Sequence, residues 1–150
     1  PGIKAIESGI PWNDASGKRL REWMDISEDD FYDKEKVAIV PMDFCFPGKG
    51  KSGDLPPRPI CAQKWMGKIL AECKQVEMTL LIGQYSQQYF LSERINGNLT
   101  STVRSWKDYY PGYFVMPHPS PRNNIWLRKN EWFENELLPI LKKDINTLLR

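Results

Sequence analysis

The chain has 150 residues, of which 41% are hydrophobic and 12% aromatic, a composition that is typical of a folded globular domain and excludes a disordered one. A formal net charge of +2 excludes nucleic-acid binding through a global positive field, so such a role would rest on local clusters of charge. No apolar run approaches the ~18 residues of a membrane span, and no signal peptide is visible. We therefore expect a single domain over residues 1–150, with no membrane contact.

The amino-terminal part of the chain is punctuated by residues that favour turns. A Pro-Gly pair stands at residues 1–2 and demands a turn, so we expect an upstream strand and an N-terminal segment to precede it. Residues 1–16 are interpreted as a loop. Apolar periodicity then predicts a short helix that begins at Ser16 or Gly17, and Ser27 is a candidate N-cap for a further helical turn.

Three short apolar runs alternate with helical patterns along the rest of the chain. They predict buried strands at residues 37–40, 78–83 and 113–116. Strands that alternate with helices are typical of βαβ units. The predicted fold is therefore an α/β domain with three layers, α/β/α, around a small and mostly parallel central sheet.

Two longer segments have helical periodicity. Residues 61–73 are predicted to form a helix with an apolar face made by Trp65, Ile69 and Leu70. Residues 130–149 are predicted to form an amphipathic tail, which Pro139 must kink or divide because proline cannot continue the helical hydrogen bonding.

The only histidine of the chain, His118, directly follows the last predicted strand and lies between two prolines. Prolines fix φ and remove backbone donors, so this segment is predicted to be a rigid loop. A histidine held in this way suits a directed hydrogen bond to a reacting group. The alternative is a histidine that is simply packed into a turn at the end of a strand.

Polar and aromatic side chains follow the ends of the predicted strands. Right-handed crossovers would bring these loops to one edge of the sheet and form one crevice. Its candidate members are Trp12, Asp14, Asp43, Ser86, His118, Ser120 and Asn123. One aromatic wall combined with polar groups is suited to binding a flat, polar ring.

Four segments resemble the uracil-DNA glycosylase superfamily, in the right order and over nearly the whole chain. His-Pro-Ser-Pro at residues 118–121 is similar to its second signature motif, and Pro-Gly at residues 1–2 to the end of its first. Residues 9–17 match the spacing of the Gly-x-Pro-Phe-x-Gly-x-x-Gly segment of the iron–sulfur branch, with Trp12 in place of phenylalanine. Cys-Phe-Pro-Gly at residues 45–48 is similar to that branch's Cys-Arg-Pro-Pro-Gly.

The resemblance implies a monofunctional DNA glycosylase of base excision repair, which flips out uracil or a related deaminated base and hydrolyses its N-glycosidic bond. His118 would stabilise negative charge on O2 of the base, and Trp12 would stack on the ring unless it is an ordinary core residue. Asp14, preferred over the nearby Glu7 because it lies beside Trp12, would activate water, or alternatively cap the following helix. Asp43 and Asn123 would bind the base. Since a carboxylate at residue 43 would repel O4 of uracil, the choice between uracil and another modified base as the substrate stays open.

Contacts to DNA need phosphate donors and a residue that fills the vacated stack. The resemblance implies phosphate binding by Ser86 and Ser120. Arg122 follows Pro121 where relatives place the inserted residue, so it would insert or pair with phosphate. The long Gly- and Pro-containing loop over residues 43–59 also suits backbone contact, or is a solvated loop; its polar and basic residues at one end are Lys49, Lys51, Ser52 and Arg58.

The three cysteines form no short paired motif, which indicates a reduced intracellular chain or part of a metal site. Cys45 and Cys61 have the separation of two of the four cluster ligands in the iron–sulfur branch. The other two would lie before residue 1, so the resemblance implies that a [4Fe–4S] cluster belongs, if anywhere, to a longer protein and is not required by residues 1–150 alone. Cys73 is predicted to lie in a helix core. The branch implies a monomer in a bacterial or archaeal cytoplasm, associated with the nucleoid.

Two other classes of protein stay open. One is a glycosylase-fold module with weak or no catalysis that binds damaged or abasic DNA. The other is an unrelated α/β hydrolase or nucleotide-binding protein with a chance His-Pro-Ser-Pro. Against the latter, the chain has no Gly-x-Ser-x-Gly elbow and no Gly-x-x-x-x-Gly-Lys loop.

Overall fold

The computed structural model describes residues 1–150, which form eight α-helices and four short strands. The helices are α1 (Ile3–Ser8), α2 (Ala15–Met24), α3 (Glu28–Tyr32), α4 (Pro59–Glu72), α5 (Gln84–Leu91), α6 (Leu99–Arg104), α7 (Asn124–Lys129) and α8 (Leu138–Leu148). The strands are β1 (Lys49–Gly50), β2 (Gly53–Asp54), β3 (Leu80–Ile82) and β4 (Phe114–Met116). Short 3₁₀ turns lie at Ser92–Arg94, Trp106–Asp108 and Pro121–Asn123.

Helices α2 and α3 begin at side-chain caps. The Asp14 side chain accepts a hydrogen bond from the backbone amide of Gly17 at the start of α2, and Ser27 caps α3 in the same way. Both predicted helices are thereby confirmed. The predicted loop over residues 1–16 is wrong in part, since it contains α1, which ends at Gly9 in the left-handed conformation with φ +70°.

The strands β3 and β4 pair in parallel at the centre of the fold. Leu81 is opposite Val115 and Ile82 is opposite Met116, and every residue of β4 is buried. Continuous apolar runs are typical of parallel strands, because these are covered on both faces. The parallel pairing of these two predicted strands is confirmed, and the full three-layer arrangement stays a prediction.

Residues 37–40 form no strand, so the prediction of a buried strand there is wrong. The Val37 amide donates to the Asp33 carbonyl oxygen at 2.9 Å, within a turn, and Ala38 is exposed. The segment has no hydrogen-bonded partner strand. An apolar run of four residues is too short to specify a strand without such a partner.

Helix α4 buries a different face from the predicted one. Ala62 and Met66 are its buried residues, whereas Trp65 is 44% exposed and Leu70 is 38% exposed. The predicted helix is confirmed, but its predicted face is wrong for Trp65 and Leu70. Ile69 is half-buried, because it lies one turn from Met66 on the buried side of the helix. The Trp65 ring lies instead beside the ammonium groups of two neighbouring lysines.

The carboxyl-terminal tail packs against α2 and closes the core. Pro139 divides it as predicted: a π-helical turn at Phe133–Leu137 precedes α8, and Pro139 lies in the first turn of that helix. The rings of Trp23 and Phe133 make an edge-to-face contact with centroids 5.0 Å apart. None of the helices is long and apolar enough to span a membrane.

Candidate active site

The carboxyl ends of the two parallel strands are tied together directly beside His118. Gln87, only 1% exposed, donates from Nε2 to the carbonyl oxygens of Leu81 (3.2 Å) and Met116 (2.9 Å). Gly83 adopts φ +82°, and a Cβ added there would lie 3.5 Å from the Cβ of His118. The loop after β3 therefore approaches closely the loop after β4, as the sequence predicts for this sheet edge.

The imidazole of His118 is held in one tautomer. The Ser120 backbone amide donates to Nδ1 of His118 at 3.2 Å, so the neutral ring carries its proton on Nε2. Surrounding protein desolvates the imidazolium and lowers the pKa of His118 from its ordinary value of 6.5, an effect that the Asp14 carboxylate opposes. The side chain is still open to solvent. Near neutral pH it is a neutral, directed donor.

Trp12 covers one face of this imidazole. The two rings stack with centroids 5.3 Å apart and planes inclined by 28°. A base inserted between them would need about 7 Å, two van der Waals gaps. Trp12 holds φ +59°, and a Cβ at Gly17 would lie only 1.7 Å from the Trp12 carbonyl oxygen. The position of the tryptophan therefore depends on glycine at residue 17.

Asp14 lies beside the same histidine and caps α2. One carboxylate oxygen accepts from the Gly17 amide at 2.8 Å, and the other has no hydrogen-bond partner in the protein. The alternative interpretation of Asp14 as a helix cap is thus confirmed. The carboxylate also remains exposed and close enough to His118 to influence its pKa.

The His-Pro-Ser-Pro loop is fastened from two sides. Asn123 donates from Nδ2 to the carbonyl oxygen of His118 at 2.7 Å. Arg19 of α2 reaches the loop from the other side and donates from Nη1 to the carbonyl oxygens of Pro119 (3.5 Å) and Ser120 (3.3 Å). Asn123 therefore positions the loop in this structure. Arg19 was not singled out in the sequence, because no motif marks a donor that acts on main-chain oxygens.

The end of the loop is in contact with the hairpin β1–β2. The Ser120 hydroxyl oxygen accepts from the Arg122 amide at 3.2 Å and caps the turn that begins with the exposed Pro121. The Arg122 guanidinium donates to the Ser52 carbonyl oxygen at 3.2 Å. This contact joins residues 70 positions apart, so no local pattern in the sequence predicts it.

Ser86 has a different environment from the one expected for a phosphate donor. Its hydroxyl lies 3.0 Å from each of the carbonyl oxygens of Ile82 and Gly83, to which it donates. A serine in the first turn of a helix readily makes such bonds to the preceding turn. The hydroxyl proton is thus engaged by the protein's own backbone.

Asp43 is not presented to the crevice, which corrects its expected role as a reader of the base edge. Only 2% of the residue is exposed, and Arg58 holds the carboxylate through Nε, Nη2 and its backbone amide at 2.8–2.9 Å. The Arg58 hydrogen bonds hold the pKa of Asp43 well below its usual range. Asp43 anchors the long loop that precedes α4.

Both predicted cluster cysteines contact this anchored carboxylate. The Cys45 amide donates to Asp43 at 3.2 Å, and the Cys61 thiol donates to the same oxygen at 3.1 Å. All three cysteines are free thiols, with Cys73 half-buried at the end of α4 and not in its core. No group of three or more histidine, cysteine, aspartate or glutamate side chains is arranged to hold a metal. The role of Cys45 and Cys61 as two of the four ligands of a [4Fe–4S] cluster stays a prediction.

Two open cavities of about 360 and 350 Å³ lie against α2 and share Arg19 as a lining residue. His118 and Trp12 line neither of them. Neither of these two cavities is therefore the candidate site, which lies at the exposed His118.

A histidine donor at the carboxyl edge of a parallel strand pair, with an aromatic ring stacked on it, is an arrangement suited to binding a planar polar group in an α/β protein. Residues 1–142 match the family model of the uracil DNA glycosylase superfamily. The match covers nearly the whole chain, so the chain belongs to this superfamily, whose members are glycosylases that act on DNA. The superfamily resemblance is confirmed, and the iron–sulfur branch stays a prediction.

Proposed function

We propose that this protein hydrolyses the N-glycosidic bond of uracil, or of a related deaminated base, that has been flipped out of DNA in base excision repair. One observation carries the proposal: the Ser120 amide occupies Nδ1 of His118, which leaves Nε2–H as a donor at the exposed edge of the ring. Bond cleavage places negative charge on the departing base, and a preorganised neutral donor stabilises that charge without losing its proton. Removing one such donor costs about 3–4 kcal/mol in the barrier.

Trp12 is the aromatic wall of the proposed binding site, and its position restricts where the base can lie. Because Trp12 already covers one face of His118, the base would stack on the outer face of Trp12 or lie at the imidazole edge, and not between the two rings. Only a base at the imidazole edge is within reach of Nε2–H, because the indole ring would separate a base on the outer face of Trp12 from the imidazole. Stacking of a base on an aromatic side chain contributes about 1–3 kcal/mol.

Asp14 is the proposed water-activating residue. Its second carboxylate oxygen has no protein partner, and the carboxylate is close enough to His118 to influence its pKa, so a water bound to that oxygen would be placed near the sugar. The first oxygen remains on the Gly17 amide and keeps the carboxylate in position. Asp14 would thus cap α2 and orient water with different atoms of one side chain.

The test is base release from an oligonucleotide that contains one uracil, with the parent protein and with His118→Ala. We expect release by the parent and a loss of at least about 100-fold in the single-turnover rate of the variant. Asn13→Ala is the matched control, since it removes an exposed polar side chain from the same loop as Trp12. Equal rates for the parent and His118→Ala would contradict the proposed role of the histidine.

A second candidate function is that of a module that binds damaged or abasic DNA with little or no catalysis. It is favoured by the two carboxylates: Asp43 is fully engaged by Arg58, and Asp14 is engaged in part by the start of α2. In that case the parent would bind uracil-containing and abasic DNA tightly but release no base. The same oligonucleotides therefore distinguish the two functions.

We also propose the finer assignments of the fold and the cofactor: a three-layer α/β/α sandwich, membership of the iron–sulfur branch, and a monomeric protein of a bacterial or archaeal cytoplasm. A cluster would use Cys45 and Cys61 together with two thiolates from outside residues 1–150. The role of such a cluster would be structural, to hold the loop over residues 43–59 in place. No step of the proposed hydrolysis involves it. Iron content and visible absorbance of the full-length protein, purified without oxygen, test this.

A further inference from the structure

The hairpin β1–β2 carries two lysines without ion-pair partners. Lys49 and Lys51 are exposed, and neither forms a salt bridge. The one carboxylate of the hairpin, Asp54, is the register partner of Lys49 but lies near Gly2, where an added Cβ would be 3.7 Å from its Oδ2. The two ammonium groups are therefore available to an anionic partner.

The hairpin is held in a defined position against the His-Pro-Ser-Pro loop. The Arg122 guanidinium donates to the Ser52 carbonyl oxygen at 3.2 Å. It also fills the space beside Gly53, where a Cβ would lie 2.0 Å from Nη1 of Arg122. Gly53 adopts φ +140°, a conformation that favours glycine. Both the close approach of Arg122 and the positive φ therefore require glycine at residue 53.

The hairpin is also stiff within itself. The Leu55 amide donates to the Gly48 carbonyl oxygen at 2.8 Å and extends the β1–β2 pairing. The Leu55 side chain packs across the hairpin, 3.2 Å from the Cβ position of Gly50. The hairpin is held together internally and is bound at its turn by Arg122. The position of Arg122 therefore sets the positions of Lys49 and Lys51.

We propose that Arg122 is a positioning residue that latches this hairpin beside His118, so that Lys49 and Lys51 bind the phosphates of the DNA strand next to the flipped nucleotide. The proposal rests on the proposed function for its partner, DNA, but not on catalysis. It differs from the expectation that Arg122 inserts into the stack, because the guanidinium is occupied by the hairpin backbone. Lysines contact phosphates as point charges and give affinity without reading sequence.

The experiment measures DNA affinity against salt concentration by fluorescence anisotropy, with a duplex that contains one uracil. All variants carry His118→Ala, so that the base is not released during the measurement. Each phosphate contact contributes about 0.9 to the slope of log K against log salt. We expect Lys49→Gln/Lys51→Gln to reduce the slope by about two, whereas the exposed Lys143→Gln on α8, which contacts neither hairpin nor loop, leaves it unchanged.

The latch itself is tested by non-additivity. Arg122→Gln removes the donor, and Gly53→Ala pushes the flexible guanidinium away from the hairpin without touching a buried residue. Each is expected to lower the slope nearly as much as the lysine pair, and little further loss should follow when either is combined with that pair. Gly97→Ala, at φ +71° in another loop, is the matched control for a strained glycine position.

The outcomes separate the latch from the proposed function. Additive losses for Arg122→Gln and the lysine pair would overturn the latch and make Arg122 an independent phosphate contact. An unchanged slope for the lysine pair would overturn the hairpin contact even where the parent protein releases uracil. Non-additive losses in a parent that releases no base would support the latch in a DNA-binding module and refute the glycosylase.

Discussion

The backbone amide of Ser120 hydrogen-bonds Nδ1 of His118 at 3.2 Å, and this one contact decides which ring nitrogen faces solvent with a proton. The bond closes within three residues of a loop whose prolines restrict its backbone. Protonation of Nδ1 would remove the acceptor, so the contact itself opposes the imidazolium form. The hydrogen bond to Nδ1 and the desolvation of the ring therefore both disfavour the imidazolium form of His118.

The titration of His118 provides a direct measurement of this effect. Its pKa is lowered from 6.5 in the folded protein, so as pH falls the unfolded chain takes up the proton first. The contribution of the neutral His118 to the free energy of unfolding should be fully present above about pH 6.5. It should decrease as pH falls from there to the native pKa. NMR of the ring nitrogens needs no assignment, since the chain has one histidine. A native pKa of 6.5 or higher would contradict this environment.

Asp14→Asn should lower the pKa of His118 further. The Asp14 carboxylate favours the imidazolium, so its neutralisation removes the one charge that opposes desolvation. The same NMR titration measures the change. Asp29→Asn, at an exposed position of α3, is the control and should leave the pKa in place. An upward shift in Asp14→Asn would show that the carboxylate is not oriented toward the ring.

Two glycine-to-alanine variants should have opposite effects. Gly17→Ala places a Cβ 1.7 Å from the Trp12 carbonyl oxygen, so the backbone must move, and we expect a loss of about 1–3 kcal/mol in the free energy of unfolding. Gly67→Ala in α4 meets no atom within 4 Å and should gain about 0.5–1 kcal/mol. Chemical denaturation measures both. Base release should fall in Gly17→Ala beyond its loss of stability, because the position of Trp12 changes.

Arg19→Gln should slow base release without unfolding the protein. The variant removes the donor from the carbonyl oxygens of Pro119 and Ser120, and a small displacement of the loop moves the His118 donor. We expect about a tenfold lower single-turnover rate at saturating DNA. Lys18→Gln removes the neighbouring positive charge from an exposed position and is the control. Equal losses in both variants would indicate a general effect of charge on DNA binding.

Asp43→Asn should destabilise the fold by about 2–3 kcal/mol, because it weakens the hydrogen bonds that a buried carboxylate accepts from Arg58. The pKa of Asp43 is held far below that of the unfolded chain. Its contribution to stability is therefore present above about pH 4 and is lost as pH falls toward the native pKa. Thermal unfolding of Asp43→Asn and the parent at several pH values measures this. The difference in stability between Asp43→Asn and the parent should shrink as pH falls. A difference that is the same at every pH would contradict the proposed contribution of the Asp43 carboxylate.

The elements that could be predicted from the sequence are those with a local signal. The strands around Leu81 and Val115 are continuous apolar runs, Ser27 is a good N-cap, and His118 lies in a short signature motif. Each of these depends on residues within a few positions of one another. The family assignment relied on the same local motifs, in their order along the chain.

The features that could not be predicted depend on contacts between distant residues. Nothing near Asp43 shows that Arg58 will enclose it, and nothing near Arg122 shows that the Ser52 carbonyl will meet it. Residues 37–40 have the composition of a strand but no partner to pair with. Arg19 acts on main-chain oxygens, which leave no mark on the sequence of the loop that they belong to.

The amide side chain of Gln87 has a consequence for how the molecule opens. It binds the carbonyl oxygens of Leu81 and Met116 from within the core, so the two strand ends cannot separate unless that buried amide loses at least one acceptor. Local opening should thus exclude this edge of the strand pair and begin in the surrounding loops. In hydrogen exchange, the amide of Gly83, which donates to Met116, should be among the last to exchange, well after those of the hairpin. We therefore expect His118 to follow directly a part of the chain that opens late.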